Sequence, residues 1–195
     1  MKLAAMFLIT SMAAVGNDAG PKAGVRVTVH LDVDAPVPSA VRGNALAMTK
    51  AMYRQIGVEI RWEGSRPAAA KAKSALWLEV TDRTPSTFHP GALAYAAPWE
   101  GRHIRVFWDR IETARGPQKL LAHVLAHEIG HMLEGTDRHS AAGIMKAKFT
   151  AGDIADMLMT PLEFTPEDID LIQQGLAYRV IRAAATARPG FTPKP

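Results

Sequence analysis

Two histidines four residues apart, with a glutamate after the first, form the arrangement in this chain with the plainest chemistry: His127-Glu128-Ile129-Gly130-His131. In a helix, residues four apart differ by about 40° around the axis, so both imidazoles leave one face a turn apart. Their nitrogens can then reach one ion at roughly 2.0–2.1 Å, the distance zinc takes. Glu128 stands to one side of that ion. There its carboxylate can take a proton from a metal-bound water that zinc has already made acidic. The expected activity is hydrolysis of peptide bonds, with Zn2+ as cofactor and a peptide or protein as substrate.

Catalytic zinc sites use three protein ligands and a water. Three residues after His131 can supply the third. Glu134 lies on the same helix face, but at the helix end, where a solvated carboxylate is the plainer reading. Asp137 follows Gly135 and can swing back. His139 lies two residues further and offers imidazole, the better zinc donor, so it is expected first and Asp137 second. The chain has no cysteine, which excludes thiolate ligands, cysteine nucleophiles and disulfides together. His123 sits one turn before His127. Since zinc rarely takes three ligands from one straight helix, His123 reads as a core or supporting histidine. His89 and His103 read as surface residues, and His30 falls on the polar face of a strand. Ser140 has no Ser-His-Asp arrangement around it. Tyr95 and Arg138 are both candidates to steady a developing oxyanion.

Residues 127–145, HEIGHMLEGTDRHSAAGIM, resemble the metzincin branch of zinc peptidases. That pattern is HExxH, two residues, a glycine, two residues and a third His or Asp, with a methionine-containing turn below the metal. Here Gly135 comes one place later than the pattern and His139 two places later, so Asp137 occupies the strict third position. The blocks Arg138-His139-Ser140 and Gly143-Ile144-Met145 are also similar to a group of uncharacterised exported bacterial zincin-like proteins. In those, a His-Ser pair precedes Gly-Ile-Met after a glycine-ended HExxH helix. This second resemblance spans roughly residues 103–175. It implies His127, His131 and His139 as metal ligands, Glu128 as the catalytic carboxylate and Met145 as the turn methionine.

These residues need a scaffold, and the hydrophobic pattern sketches one. Residues 25–33 alternate Val25, Val27, Val29, Leu31, Val33, the period of a half-buried strand. Residues 41–56 suit an amphipathic helix that Ser39 can cap, with Leu46, Met48, Met52, Tyr53 and Ile56 facing the core. Short strands are expected over 58–62, 75–80 and 103–108, and a short edge strand over 92–96. Loops are expected over 64–73 and 81–90. Residues 119–134 form the strongest helix, which Gly135 stops. Mid-helix Gly130 costs about 1 kcal/mol against alanine, a cost that close approach of another segment, such as the Met145 turn, can offset. Residues 136–150 are turn-rich. Thr165-Pro166-Glu167-Asp168 opens a last helix to about 183, with a capping threonine, proline at the first position and two acids in the first turn. The expected fold is α+β: a zincin-like mixed, twisted sheet with the HExxH helix, a methionine-containing turn and a C-terminal helix.

The chain has 195 residues, 48% hydrophobic and 22% charged, which fits one domain, expected over 24–183. Residues 1–20 read as an export signal: Lys2, then an apolar run over 3–15, then small residues. The run falls short of the roughly 20 apolar residues that span a bilayer. The mature chain is therefore expected to be exported, secreted or periplasmic, with no stable membrane insertion. Residues 184–195 contain three prolines and read as a loose tail. The net charge of +4 is spread along the sequence without a dense basic run, which argues against a nucleic-acid partner. The rival function is a non-catalytic zinc-binding or protein-interaction module on a degenerate zincin scaffold. A protein-binding domain without metal is the third reading.

Overall fold

The computed structural model describes residues 24–64, 75–98 and 103–187. The expected export signal, most of the 64–73 loop and most of the tail lie outside them. Alternating valines build strand β1, Val25–Asp34. Helix α1, Ser39–Gln55, follows, then β2, Val58–Glu63, β3, Leu76–Thr81, β4, Ala94–Ala96, and β5, His103–Phe107. A 3-10 turn at Trp108–Arg110 leads to α2, Pro117–Glu134, α3, Ala151–Met159, and α4, Pro166–Ala187.

The five strands form one mixed sheet in the order β2-β1-β3-β5-β4. All neighbours are parallel except β4, which runs antiparallel to β5 at the edge. Registers such as Val27 with Ile60, Leu78 with Ile104 and Val80 with Val106 put the apolar side chains on one face. That face packs with α1 and α2 into a single core. The other face carries the ion pairs Arg26–Glu59, Arg61–Glu63 and Arg105–Glu79. His30 also lies there. It is not left in solvent: its ring stacks on Trp77 at 4.4 Å and is 6% exposed.

Helix α2 is buried from Leu120 to Leu133 and forms the centre of the molecule. Polar groups on α1 bind its main chain: Tyr53 Oη donates to Ala126 O at 2.7 Å, and Thr49 Oγ1 to Ala122 O at 3.1 Å. Of the core residues expected on α1, Met52 and Tyr53 are buried, while Leu46, Met48 and Ile56 pack at its margin. Ser39 is the first residue of that helix rather than its cap, and Pro38 precedes it without a side-chain cap bond. Gly135 ends α2 at φ 74°, in the left-handed region glycine favours. Helix α4 crosses α2 at Gly175, where a side chain would collide with the Leu133 carbonyl.

Helix α3 has no counterpart among the expected elements. It is nine residues long, contains Gly152 and follows a turn-rich segment, so little periodicity announces it. Its start is nevertheless fixed by a reciprocal cap between Thr150 and Asp153. No helix among the described residues is long and apolar enough to cross a membrane.

Candidate metal centre

His127 and His131 leave α2 on one face with their Nε2 atoms 2.9 Å apart. The loop after Gly135 returns His139 to the same point. Its ring lies nearly parallel to that of His127, 5.4 Å away, and edge-on to that of His131, 4.8 Å away. One ligand nitrogen from each of the three lies within 4.8 Å of the others. Asp137 lines the same cleft but does not join this cluster.

The hydrogen bonds define the tautomers. His127 Nδ1 donates to Ile144 O at 2.8 Å, and His131 Nδ1 donates to Thr136 O at 3.0 Å. Carbonyls only accept, so both Nδ1 atoms must hold protons. In neutral rings the two Nε2 atoms then present lone pairs to each other. Burial keeps the rings neutral and pushes both to about 4. Opposed lone pairs at 2.9 Å repel unless a cation lies between them. Two nitrogens bound to one tetrahedral zinc stand about 3.3 Å apart, so the rings need only a small adjustment. The donor set therefore fits a zinc ion: three imidazoles, two of them oriented by carbonyls.

Glu128 is 8% exposed, and burial raises its carboxyl to about 8. A neighbouring cation acts in the opposite sense and favours the ionised form. Glu128 lines a cleft of about 890 Å³ together with the three histidines. One wall of the cleft is the edge strand β4 with the residues leading into it, and another is apolar, formed by Leu120, Val124, Phe149 and Ile154. A smaller hollow of about 510 Å³ lies on the outer face of the sheet around His30 and Trp77. Among the described residues it gathers no metal-binding cluster.

Several single residues stand differently from expectation. Glu134 is not a solvated carboxylate: both oxygens are buried without a hydrogen bond among the described residues, and burial followed by Asp168 raises it to about 7. Neither expected oxyanion helper faces the histidines: Arg138 is turned to Asp168 and Glu167, away from the cleft, and Tyr95, in register with Arg105 on the edge strand, puts its ring on the outer face of the sheet against Phe88. His123 is fully buried. Its Nδ1 donates to Lys119 O at 2.7 Å and its Nε2 accepts from Leu162 N at 3.0 Å, which ties α2 to the chain before α4. Met145 is fully buried against Gly130. His89 and His103 are exposed, as expected. Asp168, read in the sequence only as a first-turn acid, binds the residues on either side of His139.

No family model and no curated protein matches the sequence. The arrangement of sheet and helices, however, matches archaemetzincin from Methanopyrus kandleri. The fold is zincin-like. The match has a TM-score of 0.55 at 14% identity and covers 82% of this chain and 99% of that one. In this chain the three histidines converge beside α2, the central helix packed on the mixed sheet.

Proposed function

We propose that the chain is a zinc-dependent endopeptidase, exported from the cell, that hydrolyses peptide bonds in its β4 cleft. The observation that carries this reading is the pair of opposed Nε2 lone pairs on His127 and His131, with His139 closing the third side. The fold shared with archaemetzincin supports it. His127, His131 and His139 would hold the ion. When bound, zinc supplies a Lewis acid at the floor of the cleft. Glu128, buried beside that floor, takes a proton from the attacking water and returns it to the leaving amine. A substrate strand pairs with the edge of β4 through main-chain hydrogen bonds, while the wall of Leu120, Val124, Phe149 and Ile154 receives an apolar side chain.

Metal content of the purified chain, measured by mass spectrometry beside His139→Ala and Asp137→Ala, tests the site. The expected result is about one zinc per chain, lost with His139 and retained without Asp137. A metal-free wild type, after gentle preparation with zinc supplied, would overturn the reading. If zinc is present, a peptide library then separates an endopeptidase from a non-catalytic zinc module.

A further inference from the structure

We infer that Asp168, at the start of α4, is the positioning residue for the third metal ligand. The inference rests on the three-histidine reading of the site. The rings of His127 and His131 are each anchored by a carbonyl on Nδ1. Among the described residues no hydrogen bond holds the ring of His139, which is exposed. Its place is therefore set through its backbone and neighbours.

Asp168 holds both neighbours. Its side chain is fully buried. Oδ1 accepts from Arg138 Nη2 at 2.7 Å and from the Ser140 hydroxyl. Arg138 Nη1 in turn donates to Ser140 Oγ at 3.2 Å, closing a ring of contacts around the stem of His139. Capping of α4 explains only the other half of the carboxylate. Oδ2 accepts from Thr165 N at 2.9 Å, as a first-turn acid should. A cap has no use for Oδ1, which is spent wholly on residues 138 and 140. The backbone completes the hold: Ser140 N donates to Met145 O at 2.7 Å. Residues that orient metal ligands in this way typically change metal affinity by 10- to 100-fold when removed.

The test is a double-mutant cycle on cobalt and zinc affinity, measured by competition with a chelator, in wild type, Asp168→Ala, His139→Ala and the double variant. Asp168→Ala is expected to weaken binding by about 10- to 100-fold in the wild-type background and less than about twofold when His139 is already gone. The visible spectrum of the cobalt form of Asp168→Ala should move toward that of His139→Ala. Equal weakening in both backgrounds would overturn the inference, because Asp168 would then act on the fold at large. If His139→Ala binds as tightly as wild type, the three-histidine site and the inference fall together. Asp168→Asn, which keeps the volume without the charge, serves in the same cycle if the alanine variant does not fold.

Discussion

Met145 occupies the space that a side chain at Gly130 would need: its Sδ lies 2.5 Å from where a Cβ would stand. The glycine is thus a contact surface for the segment that follows the third histidine. Alanine there recovers about 1 kcal/mol of helix propensity but overpacks a fully buried site, which costs about 1–3 kcal/mol. Gly130→Ala is expected to lower stability by about 1 kcal/mol net. Combined with Met145→Ala, the total loss should be smaller than the sum of the two single losses. Urea midpoints for the four proteins measure this, and strict additivity would mean that the two residues do not press on each other.

Glu128→Gln is expected to bind zinc like wild type and to lose cleavage by a factor of about 100 or more. Because the carboxylate is buried, the neutral amide should not lower the thermal midpoint. Turnover near wild type on any peptide the wild type cleaves would remove Glu128 from the mechanism.

His123→Ala removes two partly buried hydrogen bonds and leaves Leu162 N without its acceptor. A loss of about 3 kcal/mol is expected from the cavity and the orphaned donor. Amide exchange reads the same bond locally. Leu162 should be protected in wild type and should exchange faster in the variant than residues of β1 do.

Acid should weaken the α3 region first. Hydrogen bonds from Lys146, then from Thr150, hold Asp153 at about 2, below its ordinary 3.8. The folded state therefore binds this proton less readily than the unfolded chain. The stabilisation is complete above about pH 4 and disappears as the pH falls toward 2. The difference in urea midpoint between wild type and Asp153→Asn should shrink across that window. A constant difference would show that the ion pair contributes through shape rather than charge.

The parts of the site that obey one helix were legible in the sequence. Helical spacing alone puts His127 and His131 together, and Gly135 marks where the helix must end. His139 was named from donor chemistry and from its neighbours in the sequence. What holds it was not legible, because Asp168 lies 28 residues beyond Ser140 and its place as an acid in the first turn of α4 already accounted for it. Glu134 misled for a related reason. At the end of a helix it looks exposed, but α4 crosses α2 closely at Gly175 and covers that end. The sheet was readable strand by strand, since alternation reports burial on one face. The shortest helix was not, because nine residues around Gly152 show too few turns for a period, although Thr150 and Asp153 mark its start.

Strand β4 is only three residues long, and it is the edge beside the cleft. An edge this short gives another copy of the chain little to pair with, which protects this side of the sheet against edge-to-edge aggregation. The same shortness limits what a bare main chain can gain by docking there. Discrimination among peptides must then fall on side chains entering the apolar wall, and short or featureless peptides should be poor competitors however extended they are.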